Sequence, residues 1–148
     1  MIKVPPPIWA LLYVLVAVAA SALAGWPQLP GLPIVPLGVA LTIAGVAFPI
    51  WAAAHFVRAG ATFHPDAAAH ARLVAEGPYR FSRNPMYLGL TLATLGIAVW
   101  NGAWPMFLAP IGVAVTVSLV HIPYEEAAMW REFGAVFDDY QRRVRRWI

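Results

Sequence analysis

The sequence predicts an all-α integral membrane protein, a bundle of four transmembrane helices followed by a C-terminal amphipathic helical segment. Hydrophobic residues make up 61% of the 148-residue chain and charged residues only 11%, a balance that is rare in soluble domains. The hydrophobic residues gather in four runs, and the basic residues lie in segments that would share one side of a membrane. The length fits a single membrane domain, residues 1–148.

The first apolar run covers residues 8–24 and is long enough to span a bilayer. An alternative for this run is a signal peptide, because residues 22–24 resemble a small-residue cleavage site that follows a basic start and an apolar core. Three spans would then remain in the rest of the chain.

The second and third runs, residues 35–57 and 86–100, carry stripes of small residues at helical spacing. These are Gly38, Thr42, Gly45 and Pro49 in the second run, and Gly89, Ala93 and Gly96 in the third. Such stripes suit close helix packing in lipid. The third run is short for a full span at about 1.5 Å per residue, so we expect a thin or tilted element that begins at Pro85.

The fourth run covers residues 104–122 and should form a helical hairpin with the third through the turn at residues 101–103. Pro110 within it predicts a kink. Residues 124–147 then read as two short helices separated by Gly134, the second with apolar residues at helical spacing. We expect this segment to lie on the membrane surface.

The distribution of charge predicts the orientation. The links at residues 25–34 and 101–103 contain no charged residue, whereas lysine and arginine lie at the N-terminus, between residues 58 and 83, and between residues 131 and 146. The positive-inside rule therefore predicts that both termini are cytoplasmic, at the inner membrane if the protein is bacterial.

Several functions are disfavoured by composition. The net charge is +3, but four basic residues are clustered at the C-terminus, where beside membrane spans they favour anionic lipid over nucleic acid. The chain has no cysteine and hence no disulfide or cysteine-based metal site. The histidines at positions 55, 64 and 70 are too irregularly spaced for a metal site and read as interfacial polar residues, with His64 the one that begins the following polar loop.

Two polar segments stand out on the predicted cytoplasmic face. The first covers residues 73–87. Taken alone, its composition is explained by arginines that flank a membrane helix and by Tyr87 at the membrane interface, without a functional role. The second begins with Glu125 and Glu126 at a predicted helix start, where the helix dipole stabilises anions. Acidic residues so close to a membrane span indicate either capping or a paired, functional role, with Arg83 as the candidate partner.

Taken together, the two segments resemble the isoprenylcysteine carboxyl methyltransferase family, which is related to the phospholipid N-methyltransferases. The resemblance rests on their order, on the single hairpin between them, and on the pattern Phe133-Gly134-x5-Tyr140-x3-Val144 that follows, and it covers about residues 56–147. It implies a membrane helix bundle whose cytosolic end encloses S-adenosylmethionine while a lipophilic substrate enters from the bilayer. The sequence has no G-x-G-x-x-G, so a soluble Rossmann methyltransferase is not indicated.

The resemblance also implies roles for individual residues. The cofactor-binding residues would be Leu73, Val74, Tyr79, Asn84, Pro85, Met86, Tyr87 and Glu125. Aromatic faces suit a sulfonium cation, and Glu125 would hold the ammonium group of the cofactor. The candidate catalytic residues are His121, Glu126 and Arg83: the last two would position their neighbours by ion pairing, and His121 would contact the substrate or act as a base.

Three positions depart from the family pattern. Asn84 and Ala71 stand where histidine is common, and His121 stands where the carboxyl methyltransferases carry an arginine that grips the substrate carboxylate. The methyl acceptor is therefore open between the carboxylate of an isoprenylcysteine-like lipid and the amine of a phospholipid or small molecule. Two other classes remain: a membrane oxidoreductase similar to the sterol reductases, which the Glu125-Glu126 pair and the small size disfavour, and a non-enzymatic lipid-binding protein.

Overall fold

The computed structural model describes residues 4–59 and 73–148, and within these ranges the regular secondary structure is helical, apart from one isolated bridge between Gln28 and Ala103. Lys3, His64, His70, Ala71 and Arg72 lie outside the described residues. The helices are α1 (Pro6–Leu23), α2 (Val35–Arg58), α3 (Pro85–Asn101), α4 (Leu108–Thr116), α5 (Ile122–Phe133) and α6 (Ala135–Arg143).

Among the described residues, three helical stretches are long and apolar enough to cross a membrane. They are α1, α2 and the stretch Trp104–Phe133, which contains α4 and α5. Their outward faces are apolar: Leu11 and Leu15 of α1, for example, are 58% and 55% exposed. Such surfaces would be unfavourable in water and match a hydrocarbon solvent, so the chain is a membrane protein.

α2 and α3 pack closely through the two stripes of small residues that the sequence predicted. Gly38 lies against the backbone of Gly96 and Trp100, and Gly45 against that of Gly89 and Ala93, so that a Cβ added at either α2 glycine would overlap the α3 backbone. This order of contacts makes the two helices antiparallel. Close backbone approach is the main source of packing energy between helices in lipid, where apolar surface alone favours no association.

The two uncharged links meet at one end of the bundle. The N–H of Leu29 donates to the Gly102 carbonyl at 3.0 Å, and the N–H of Trp104 donates to the Pro27 carbonyl at 3.1 Å. Gly102 ends α3 with a φ of 83°, in the left-handed region that favours glycine. The charged segments before α3 and after α5 lie at the other end of α3, where the N–H of Arg83 donates to the Arg145 carbonyl.

The fourth predicted run does not stop at residue 122. A turn of π-helix, Val117–His121, joins α4 to α5, so the helix continues through the acidic pair to Phe133. The stretch begins with a 3₁₀ turn, Trp104–Phe107, and Pro110 lies in the first turn of α4, where a proline is tolerated. Turns of π-helix frequently mark functional sites, and this one directly precedes Glu125 and Glu126.

The final helix is shorter than predicted. α6 ends at Arg143, and Val144 is extended, with φ −122° and ψ 126°. Its apolar residues Phe137 and Tyr140 are buried against the protein, in a cluster that includes Leu73 and Phe133. The helical pattern read from the sequence thus continued past the true end, because the carbonyl groups of the following residues bond to the segment before α3.

Candidate active site

The site begins with a contact between the first turns of two helices. Tyr87 of α3 donates the hydrogen of its hydroxyl to a carboxylate oxygen of Glu125 of α5. The hairpin formed by α3 and the Trp104–Phe133 stretch brings these residues together. Glu125 is exposed, and its second oxygen has no hydrogen-bond partner among the described residues. The carboxylate is thus held in place and can still accept a cationic donor.

Tyr79 lies near the same carboxylate, in the short 3₁₀ turn Gly77–Arg80. Burial, and secondly the negative charge of Glu125, raises the pKa of Tyr79 to about 12, so its phenol is neutral at physiological pH. The hydroxyl of Tyr140 donates to the Tyr79 carbonyl at 2.7 Å, which ties this turn to α6. Burial also raises the pKa of Tyr140.

Leu73 and Val74 run beside this turn without regular secondary structure, and the side chain of Val74 is buried. Within the described residues neither of them makes a backbone hydrogen bond. Buried or half-buried backbone groups are nearly always paired in native proteins. The N–H and carbonyl groups of these two residues are therefore suited to receive a ligand.

The turn at Gly77 is held against the end of α2. Gly77 has a φ of 59°, and a Cβ placed there would lie 2.8 Å from the ring of His55. The His55 ring also packs edge-on against Trp51, with ring centroids 5.7 Å apart. His55, read from the sequence as an interfacial polar residue, thus supports the turn that carries Tyr79.

Glu126 lies between two guanidinium groups. Nη2 of Arg83 is 2.7 Å from its Oε1, and Nη2 of Arg146 is 2.6 Å from its Oε2. The side chains of Arg83 and Glu126 are only 12% and 15% exposed, so solvent screens their attraction weakly. The pairing of Arg83 with this acidic segment is confirmed. The sequence did not predict the ion pair of Arg146 with Glu126, because an arginine in a terminal basic cluster does not indicate which residue it will pair with.

The C-terminal segment is bonded to the residues that precede α3. The N–H of Arg83 donates to the Arg145 carbonyl at 3.0 Å, and Nδ2 of Asn84 donates to the Arg146 carbonyl at 3.0 Å. Nη1 of Arg83 donates to the Val144 carbonyl at 2.7 Å. Asn84 is buried, and its amide donor serves this structural contact. Arg146, interpreted from sequence as a simple lipid contact, is part of the site's framework.

His121 ends the π-turn and is buried, with 4% of its surface exposed. Its Nε2 lies 3.2 Å from the Val4 carbonyl and, since that oxygen accepts, must carry the proton. Nδ1 has no partner in the described part of the chain. The ring centroids of His121 and Tyr87 are 6.2 Å apart, so His121 lies behind the Tyr87 and Glu125 pair.

The predicted site residues thus fall into two groups. Tyr79, Tyr87 and Glu125 converge, with His121 behind them and the Leu73–Val74 segment running beside the turn that carries Tyr79. Asn84 and Pro85 are buried and Met86 is half-buried, so their side chains support the start of α3. The sequence analysis named Tyr140 only as part of a pattern and did not predict a role for Arg146. The spacing of Tyr140 from Gly134 was the signal that pointed to Tyr140.

The described residues thus form a polar, ion-paired site at one end of a helical membrane bundle. The model of the phospholipid methyltransferase family matches residues 34–136. The match takes in α2 to α5 and thus both polar segments, and it confirms the resemblance found in the sequence. No curated protein matches the sequence significantly.

The chain is therefore a membrane-embedded methyltransferase. It belongs to the phospholipid methyltransferase family, which includes enzymes similar to the isoprenylcysteine carboxyl methyltransferases. Methyltransferases of this family generally use S-adenosylmethionine.

Proposed function

We propose that this protein transfers a methyl group from S-adenosylmethionine to a lipophilic acceptor that reaches the site from the bilayer, as the isoprenylcysteine carboxyl O-methyltransferases do. The observation that carries the proposal is the Tyr87 and Glu125 pair, a fixed and accessible carboxylate beside aromatic rings. When bound, S-adenosylmethionine supplies the electrophilic methyl group. The residues of the chain hold it, exclude water and orient the acceptor, effects that provide much of the catalysis in transfers of this kind.

The groups present fit such a cofactor. The free oxygen of Glu125 suits its ammonium group, because charge-assisted hydrogen bonds are the stronger ones. The rings of Tyr79 and Tyr87, both uncharged as phenols, suit a sulfonium cation. The backbone groups of Leu73 and Val74, which have no hydrogen-bond partner among the described residues, suit the donor and acceptor edge of adenine. Pro85 and Met86 would contribute the apolar wall at the start of α3.

The methyl acceptor is either a carboxylate, as in an isoprenylcysteine-like lipid, or an amine of a phospholipid or small molecule. A carboxylate acceptor needs a cationic grip, yet both Arg83 and Arg146 engage Glu126. The grip would then fall to His121, which is buried. An amine acceptor needs a proton acceptor instead, and Nδ1 of His121, which has no partner in residues 4–59 and 73–148, is suited to that task. This observation favours the amine as the second candidate.

We further propose that all four predicted spans cross the membrane and that the whole chain forms one membrane domain. α3 has 17 residues and runs antiparallel to α2 along its small-residue face. The hydrogen bonds of Arg83 and Asn84 to the C-terminal segment support a common side for that segment and the start of α3. By the positive-inside rule this side is the cytoplasm, at the inner membrane if the protein is bacterial.

Binding and turnover test the proposal separately. Purified protein should bind S-adenosylhomocysteine in calorimetry, and Glu125→Ala should abolish binding while the fold persists by circular dichroism. Wild-type protein that binds no cofactor would overturn the proposal, and NADPH binding in its place would indicate a reductase. Labelled methyl donor with a prenylcysteine or an aminophospholipid then identifies the acceptor: a base-labile product is an ester, and a base-stable product is an amine.

A further inference from the structure

The C-terminal segment after α6 lies across the residues that lead into α3. The carbonyls of Val144, Arg145 and Arg146 accept hydrogen bonds from the Arg83 side chain, the Arg83 N–H and the Asn84 side chain respectively. Every one of these donors immediately precedes α3. This segment therefore fixes the backbone from which Tyr87 projects, one turn further along.

Arg146 connects this segment to α5 as well. While its carbonyl accepts from Asn84, its guanidinium binds both oxygens of Glu126, with Nη2 at 2.6 Å from Oε2 and Nε at 3.4 Å from Oε1. Glu126 directly follows Glu125. A single residue thus contacts both the start of α3 and the start of α5, the two elements whose separation sets the contact between Tyr87 and Glu125.

We propose that Arg146 is a positioning residue for methyl transfer: by clamping Glu126 and Asn84 together, it holds Tyr87 and Glu125 at the spacing that the cofactor requires. It does so without touching cofactor or acceptor. The inference rests on the proposed function for its catalytic consequence, whereas its structural part stands independently. Displacements of about 1 Å in a site of this kind can cost up to about a hundredfold in rate.

The neighbouring Arg145 provides a matched control. Its side chain is exposed and makes no hydrogen bond or ion pair with the described residues, and an alanine there keeps the backbone carbonyl that accepts from Arg83. Arg145→Ala and Arg146→Ala therefore remove the same charge from adjacent positions and keep both backbone carbonyls, but only the second removes the guanidinium that binds Glu126 and so releases the α5 end of the clamp. Arg146→Lys keeps the charge and one donor group.

The clamp can be tested by hydrogen exchange of the protein in lipid nanodiscs. The exchange is measured on the peptides that cover residues 82–88 and 122–128. We expect Arg146→Ala to raise exchange in both peptides, Arg145→Ala to leave it unchanged, and Arg146→Lys to restore it in part. Equal exchange in the two alanine variants would overturn the inference.

The dissociation constant for S-adenosylhomocysteine tests the consequence for the site. It should rise about tenfold in Arg146→Ala, as for the loss of one well-placed charged contact, and stay at the wild-type value in Arg145→Ala. Increased exchange with an unchanged dissociation constant would overturn the positioning role and leave a structural one. Failure of the wild-type protein to bind cofactor would count against the proposed function, and the exchange result would then decide the clamp by itself.

Discussion

Tyr87 and Glu125 lie 38 positions apart in the sequence and form a hydrogen bond between the first turns of two helices. The Tyr87 hydroxyl restricts the rotamers of the carboxylate, and the other carboxylate oxygen has no hydrogen-bond partner in the described part of the chain. The same contact thus joins the two polar segments and defines the centre of the proposed cofactor site.

Removal of this hydroxyl should weaken cofactor binding. We expect Tyr87→Phe to raise the dissociation constant for S-adenosylhomocysteine by about tenfold or more, because a hydrogen bond to a charged group is worth about 1.5–3 kcal/mol. Isothermal titration calorimetry measures the effect. Tyr124→Phe, next to Glu125 but exposed, is the control, and equal effects of the two changes would argue against the assigned site.

Loss of Arg83 should destabilise the protein. Arg83→Gln leaves the mostly shielded Glu126 with a single, more exposed partner and removes the donors to Val144 and Gln141. We expect a cost of about 2 kcal/mol or more, since removal of one partner from a buried ion pair is strongly unfavourable. Thermal unfolding in detergent provides the measurement.

Arg80 is exposed and lies in the turn a few residues earlier. Arg80→Gln is therefore the control and should leave the unfolding temperature nearly unchanged. Adding Glu126→Gln to Arg83→Gln should recover part of the loss, because the unpaired charge is then gone. A double variant as unstable as the sum of the two single variants would show that the ion pair contributes nothing.

A side chain at Gly45 should disrupt the packing of α2 against α3. A Cβ there would overlap the backbone of Ala93, so we expect Gly45→Ala to separate the helices at a cost of about 1–3 kcal/mol, as for overpacked cores. Ala44→Val adds methyl groups on the adjacent exposed face and should be nearly silent. Equal melting temperatures for the two variants would contradict the packing described.

The four proposed crossings would place Arg80 and Arg145 on the same side of the membrane and Pro30 on the opposite side. The chain has no cysteine, so single cysteines at these positions can be labelled with an impermeant maleimide in sealed vesicles. We expect Arg80→Cys and Arg145→Cys to react from the same side and Pro30→Cys from the other. Reaction of Arg80→Cys and Arg145→Cys from opposite sides would show that α3 does not cross.

Local patterns predicted the helices well because each depends on residues close in sequence. Small residues at Gly38, Gly45, Gly89 and Gly96 predicted tight packing, and the structure places them face to face. Boundaries were less accurate where distant residues decide them. The end of α6 at Arg143 depends on hydrogen bonds to residues before α3, and the run into α5 continues through a π-turn that no composition signal marks.

The family resemblance located both polar segments, but it treated Asn84 and Tyr87 alike as cofactor contacts. The side chain of Asn84 is buried on the Arg146 carbonyl, whereas Tyr87 faces Glu125. Residue type and spacing cannot separate these two roles, because both residues lie in the same turn and differ only in what packs against each.

The sequence by itself determined the membrane class, the helical runs, the side on which charge collects and the family, since each follows from hydropathy, spacing or residue identity along the chain. The tertiary structure decided which charges pair. Glu126 is paired with Arg83 and Arg146, while among the described residues Glu125 has only a tyrosine hydroxyl as a hydrogen-bond partner. The two adjacent glutamates cannot be told apart in the sequence. Their partners differ because successive residues of a helix point about 100° apart, so each side chain contacts a different neighbour.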